Sequence, residues 1–343
     1  MEFTHFLGCY MPDPTYGGKQ LYDDMIEQSI LADKIGYSGV AVPEHHLINL
    51  LMLPSPLQMA VKLAAVTKHV DLITSVAVLP IHDMRILAGE IVQADMLCDE
   101  RLVLGIGRGA FPYEVGRLGT DIAETRPKML ESQKVLEALL TKEEVSWDGD
   151  YYQFEPLTIM PRPTRKIPTM VAAMAPDAIF YAAKNGYSIQ TTPLSGDHSV
   201  LLQQVESFKK GKEAGGAASA NISLSLQRGM YVARDQRDAQ AKLEYAYEYY
   251  KRFENIRGPG VIKNGVIEAL PREQTIEQLA ENLMIATAPE VVDRLSIYQE
   301  VGIDSVFLPC NYGQPNAETM EMMERFAAEV MPHFNQQPKQ AVF

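Results

Sequence analysis

Apolar residues recur along this chain in two alternating regimes: short, nearly unbroken runs, and longer stretches in which they return every three to four positions. The runs at residues 3–10, 37–42, 70–79, 102–106, 169–172, 188–191, 222–232 and 305–308 read as strands. Their lack of strict alternation is what burial on both faces produces, so the pattern predicts a parallel sheet covered by helices. Between the first runs, Tyr22, Met25, Ile26, Ser29 and Ile30 trace one helix face closed by Gly36, and Met84, Leu87, Ala88, Ile91 and Val92 trace another. Further helices are expected over 55–67, 125–140, 176–185, 199–212, 235–253 and 289–301. On a final helix Met323, Phe326, Ala327, Val330 and Met331 share a core face. About eight strand-helix units favour a closed (β/α)8 TIM barrel over an open doubly wound sheet, with residues 1–343 as a single domain.

Two segments break that rhythm. Residues 145–163, with Trp147-Asp148-Gly149-Asp150-Tyr151-Tyr152, read as a hairpin or extended excursion. Residues 255–272, with Arg257-Gly258-Pro259-Gly260 and Asn264-Gly265, read as a long irregular loop of the kind that forms lids.

Charge and cysteine content then narrow the partners. A formal net charge of -13 with no basic stripe argues against nucleic acid, whose binding depends on phosphate neutralisation, and against anionic membranes. Three widely spaced cysteines suit neither a disulfide framework nor a zinc site. The opening Met-Glu-Phe-Thr-His lacks the regions of a signal peptide, and no apolar run reaches spanning length, so a cytoplasmic protein is expected.

Candidate chemistry centres on Arg101 to Gly109, an apolar strand running into glycines and one arginine. Gly105, Gly107 and Ala110 fit a relaxed dinucleotide pattern, but that pattern needs a helix to begin on the glycines. Phe111-Pro112, Gly116 and Gly119 are expected to interrupt any helix until about Glu124, leaving a strand-end ligand loop. In a parallel barrel the site forms at the C-terminal strand ends. Those ends carry Tyr10 to Pro14, Glu44-His45-His46, Leu79-Pro80-Ile81-His82, Gly107-Arg108-Gly109, Ala173-Met174-Ala175 and Pro309-Cys310-Asn311. Two histidines and a glutamate at one end suit acid-base work, or imidazoles satisfied by backbone carbonyls; a metal is not expected, because adjacent residues do not share a face. Arg108 suits a phosphate, with a surface cation or a pair with Glu114 as the alternatives. Pro176 starts a helix whose free N–H groups also suit a phosphate, although small residues there fit plain packing as well. The run Tyr245, Tyr247, Tyr249, Tyr250 reads as core and interface.

These residues together resemble the bacterial luciferase-like, flavin-dependent monooxygenase family over nearly the whole chain. The similarity runs from the Phe3 to Pro12 strand and loop through Glu44-His45-His46, Val78-Leu79-Pro80 and Gly105-Ile106-Gly107-Arg108-Gly109. It continues in Leu118-Gly119-Thr120-Asp121, the Pro-Arg-Pro before Thr164, the Val171 to Ala183 strand-helix, and Val330-Met331-Pro332-His333-Phe334. The resemblance implies a TIM barrel that takes reduced FMN from a separate NAD(P)H:flavin reductase. Reaction with O2 at the flavin C4a then gives a peroxide that oxygenates a small hydrophobic substrate. It implies Arg108 on the FMN phosphate with the backbone of Ala173, Met174 and Ala175. Thr74, Ser75 and Val76 would lie along the isoalloxazine, with a non-prolyl cis peptide at Ser75-Val76. His45 would be the acid/base group, Phe6 would line the pocket, residues 255–272 would be a mobile lid, and the protein would form a homodimer. Light-emitting members carry a cysteine where this chain has Gly107, which argues against bioluminescence. An F420-dependent hydride-transfer oxidoreductase on the same barrel and a non-catalytic flavin-binding protein are the alternatives.

Overall fold

A computed structural model describes residues 1–257 and 261–334. Eight parallel strands close on themselves: β1 (Glu2–Phe6), β2 (Gly39–Val42), β3 (Asp71–Thr74, resumed as Ala77–Val78), β4 (Leu102–Gly107), β5 (Thr169–Ala172), β6 (Ser188–Thr191), β7 (Leu224–Gln227) and β8 (Ser305–Pro309). Each pairs with its sequence neighbour, and β1 pairs with β8 through Glu2 opposite Ser305. That closure excludes the open doubly wound sheet and bears out the barrel. Strands β2, β4 and β6 are buried at every position, which is why their sequences read as continuous runs rather than alternation.

The helices between them follow the local signals. Gly18–Ile35 buries Leu21, Met25 and Ala32, and stops at Gly36, whose φ of 96° is a left-handed cap open to glycine. Ala288–Val301 begins in a capping box, with Thr287 and Glu290 satisfying each other's backbone N–H groups. The last helix, Asn316–Glu329, packs Met323 and Phe326 into the core as the pattern requires, with Met322 beside them, whereas Val330 and Met331 of the expected face lie buried just past its end. Among the described residues, no helix is long and apolar enough to cross a membrane.

Several expectations are corrected. The run at 222–232 is two strands: β7 belongs to the barrel, and Met230–Ala233 pairs outside it with Met284–Thr287. Residues after Phe111 do form a helix, Pro112–Arg117, because proline suits a first helical turn; it starts beyond the glycines, not on them. The excursion at 145–163 contains the antiparallel pair Val145–Asp148 and Gln153–Leu157.

The expected loop at 255–272 is shorter than it reads, since the preceding helix, Gln236–Arg257, covers its first residues. Residues 258–260 of that loop lie outside the described residues. Beyond them Ile262–Lys263 and Val266–Ile267 form a small antiparallel pair. Asn49 clasps this pair to the loop after β2. Its backbone N–H donates to the Gly265 carbonyl at 2.8 Å, its Oδ1 accepts from the Ile267 N–H at 3.1 Å, and its Nδ2 donates to the Met11 carbonyl at 3.0 Å.

Strand β3 is interrupted at a cis Ser75-Val76 peptide, the position implied by the resemblance. Facing the interruption, β4 comes so close that a Cβ at Gly105 would collide with the Thr74 backbone carbonyl. A Cβ at Gly107 would instead meet Cγ2 of the Val76 side chain. Backbone cannot yield as a side-chain methyl can. Gly105→Ala is therefore expected to lower unfolding stability by about 2 kcal/mol, and Gly107→Ala by clearly less. Urea midpoints of the two variants check this, and equal losses would contradict it.

Candidate active site

Two buried carboxylates organise the mouth of the barrel. Glu44 follows β2 with its side chain fully enclosed. Its Oε1 accepts from His46 Nε2 at 3.0 Å and His82 Nε2 at 2.7 Å, while Oε2 accepts the Val78 N–H at 2.7 Å. One side chain thus ties the end of β2 to the end of β3. Burial alone would push the Glu44 carboxyl up, but these donors outweigh it and hold it below the ordinary value. For His82, burial pulls the imidazole down and the Glu44 carboxylate more than compensates, raising it.

Glu114, on the short helix after β4, performs the second tie. It accepts the His46 N–H at 2.6 Å and holds His45 Nδ1 at 3.0 Å. The His45 ring stacks on Phe111, with centroids 4.7 Å apart. Nδ1 is thus committed and the ring is clamped between Glu114 and Phe111. The imidazoles are therefore held by carboxylates, where backbone carbonyls were the alternative. Among the described residues, no group of three or more His, Cys, Asp or Glu could hold a metal ion.

Beside these ties lie Arg108 and the turn after β5. Arg108 is exposed, and its Nη1 donates to Thr125 Oγ1 at 3.2 Å; the alternative pair with Glu114 does not form, because Glu114 is engaged by His45. Strand β4 pairs with β5 up to Ile106 opposite Val171, so Arg108 and Ala173 leave neighbouring strand ends. Ala173 is half-buried, and Met174 and Ala175 are exposed ahead of the helix Pro176–Lys184. Ala175 makes no side-chain cap, so the backbone N–H groups of that first turn remain open. An exposed guanidinium beside an uncapped helix start is the donor set a phosphomonoester needs, and these residues fit FMN.

The three residues expected along the ring system divide. Thr74 is fully buried and spends its hydroxyl on the Gly105 carbonyl at 2.8 Å, whereas Ser75 and Val76 remain half-buried. The Ser75 hydroxyl meets Gln190 Nε2 at 2.7 Å, and Gln190 continues to Gln227 Oε1 at 3.2 Å. This amide line was missed by sequence reasoning. Its signal was a glutamine within each of two buried strand runs, where nothing polar belongs without a partner. Val76 also fills the space over Gly107, the position of the light emitters' cysteine.

Across the mouth from Arg108 is a cavity bounded by Phe6, Gly8, Thr192, Gln227, Asn311 and the helix carrying Tyr249, Tyr250 and Phe253. Phe6 is one of its walls. Tyr249 and Tyr250, expected as core and interface, are buried but wall this cavity. Facing rings on a helix cannot be told from core by periodicity alone.

Comparison with known proteins agrees with this geometry. Residues 1–305 match the family described as luciferase-like monooxygenase. The chain is 31% identical to the oxygenase component of a flavin-dependent trigonelline monooxygenase from Acinetobacter baylyi, covering 98% of this chain and 96% of that one. It is 24% identical to an F420-dependent glucose-6-phosphate dehydrogenase from Amycolatopsis mediterranei, covering 90% and 93%. A solved monooxygenase from Streptomyces bottropensis superposes with a TM-score of 0.84 at 22% identity, covering 97% of this chain and all of that one.

The Glu44 tie has a pH signature. Its carboxylate's contribution is complete above the ordinary value of 4.5 and is lost as pH falls through the depressed folded value. That of His82 is complete below 6.5 and is lost as pH rises through the raised folded value. Glu44→Gln is expected to cost about 3 kcal/mol between the two, with the gap to wild type narrowing on either side. Urea unfolding across this range measures the gap, and a pH-independent difference would count against the ion pair.

Proposed function

Since this chain belongs to the luciferase-like monooxygenase family, and is thereby an oxidoreductase enzyme, we propose that it is the oxygenase component of a two-component system that uses reduced FMN and O2 to oxygenate a small organic substrate. The single observation that carries the reading is the clamped His45, positioned by Glu114 and Phe111 at the barrel mouth. The Arg108 cradle lies on one side and the aromatic cavity on the other. Bound reduced flavin would supply the electrons that activate O2. The protein's own part is to hold the phosphate with Arg108 and the turn at Met174 and Ala175, since the Ala173 N–H is already given to the Gln190 carbonyl at 3.0 Å, to seat the ring against Ser75 and Val76, and to exchange a proton at His45 Nε2.

The relative from Acinetobacter baylyi is named as an oxygenase component, which supports a separate NAD(P)H:flavin reductase as partner here. Three free, buried cysteines support the reducing cytoplasm as the setting; burial pushes the Cys9 and Cys310 thiols up to about 12 and keeps them inert. A homodimer is part of the proposal, supported by the exposed Ile86 and Leu97 on helix Met84–Leu97. The described hairpin at 262–267, within the segment 255–272, is proposed as the lid that keeps water from the site. F420-dependent hydride transfer is the second reading, favoured by the relative from Amycolatopsis mediterranei.

Anaerobic titration with reduced FMN followed by mixing with O2 separates the readings. Tight binding of the reduced form and an oxygen-dependent absorbing transient, distinct from free reduced and oxidised flavin, are expected. Preference for F420 with no oxygen-dependent transient would favour hydride transfer, and flavin binding with no turnover a storage protein.

Two variants test the residues. Arg108→Ala is expected to weaken FMN binding by about tenfold or more while leaving riboflavin affinity unchanged, since a charge-assisted bond contributes about 1.5 to 3 kcal/mol. Equal losses for both ligands would remove its phosphate role. His45→Gln is expected to slow oxygenation by about 10² or more at unchanged FMN affinity, and wild-type turnover would remove the proton role.

A further inference from the structure

The turn after β5 is held from behind by one side chain. Gln204 lies on the helix His198–Gly215, on the face that buries Leu201, Val205 and Phe208, and is itself only 2% exposed. Its Nε2 donates to the Met174 carbonyl at 3.1 Å and to the Thr192 carbonyl at 3.1 Å. Met174 follows β5 and Thr192 follows β6, so a single amide spans two strand ends. Both neighbours are acceptors, which fixes the orientation of that amide: turned over, its oxygen would face two carbonyl oxygens.

The arrangement carries a cost. Among the described residues no donor reaches Gln204 Oε1, although that atom is enclosed. A buried acceptor without a partner is unfavourable, and leucine or methionine would occupy the same helix face without it. What neither could do is hold the Met174 carbonyl, which among the described residues has no other donor.

The consequence lies on the opposite edge of the same peptide. The Met174-Ala175 bond is trans, so the Ala175 N–H points opposite to the Met174 carbonyl, away from the helix that carries Gln204. Strand β5 stands between β4 and β6; that helix follows β6 and Arg108 follows β4, so the Ala175 N–H is turned to the Arg108 side. Among the described residues nothing accepts the N–H of Met174 or Ala175, and both residues are exposed. Released from Gln204, this peptide is free to turn over, and would then offer a carbonyl oxygen where a phosphate needs a donor.

We propose that Gln204 is the positioning residue of the phosphate turn: its grip on the Met174 carbonyl aims the Ala175 N–H at the phosphate that Arg108 meets from the neighbouring strand end. The inference deepens the FMN reading above and rests on it.

Anaerobic titrations of the full chain with reduced FMN and reduced riboflavin, which differ only in the phosphate, test it. The wild-type protein is expected to prefer FMN. Gln204→Met, which keeps the length and removes the donor, is expected to weaken FMN binding by about tenfold and to leave riboflavin within about twofold, as loss of one bond to a charged acceptor would. Should Gln204→Met fail to fold, Gln204→Asn, which withdraws the amide by one methylene, is expected to show the same selective loss. In the wild-type protein, hydrogen exchange at the Ala175 amide is expected to slow with FMN and not with riboflavin. Equal losses for both flavins in a folded variant, no loss for either, or Ala175 exchange indifferent to FMN would overturn the inference. Where Arg108→Ala abolishes the preference for FMN and Gln204→Met does not, the phosphate reading stands and the role of Gln204 falls. A wild-type protein that does not prefer FMN overturns both.

Discussion

A carboxylate taken fully out of water must be repaid by donors from several directions, and in this barrel the donors Glu44 uses belong to different strands. Its two oxygens collect His46, His82 and the Val78 N–H, so the ends of β2 and β3 cannot separate without leaving a buried charge uncompensated. Glu114 depends on that arrangement in turn. It bonds the backbone of His46, whose ring Glu44 holds, and so inherits a fixed place from which to orient His45. The mouth is thus built as two interlocked carboxylate-imidazole units, each with its carboxylate buried and its imidazoles partly exposed.

Around this joint the mouth divides its labour by chemistry. On the β3 to β5 side the backbone is exposed at strand ends and an uncapped helix start, with Arg108 as the nearby cation, an environment for a phosphate and a planar ring. On the β6 to β8 side the groups are aromatic walls and amides, with guanidiniums set one layer back. The amide line from Ser75 through Gln190 to Gln227 crosses from one side to the other.

Much of this was legible in the chain. Runs such as β5 and β6 have the observed bounds because Pro168 and Gly186 punctuate them and nothing nearby competes. The strand-end rule pointed to His45, Arg108 and Ala173 to Ala175, and the structure does set them just past the ends of β2, β4 and β5, because a parallel barrel gives position a meaning. Partnership was less readable. Glu114 lies far from His45 in sequence, so only the fold pairs them, and Arg108 could be assigned to it by proximity alone. The helix after Phe111 was hidden by Pro112, a residue that breaks a helix interior yet opens one. The tyrosines of the long helix carry the same 3.6 spacing whether they face core or cavity.

The clasp at Asn49 ties events at opposite edges of the mouth. A side chain that simultaneously holds Ile267 of the hairpin and Met11 beyond β1, on the loop that begins with the two histidines, links three segments that are far apart in sequence. The hairpin cannot lift by itself at low cost. Displacing it breaks the Asn49 bonds, so the loop that begins with His45 loses an anchor at the same moment.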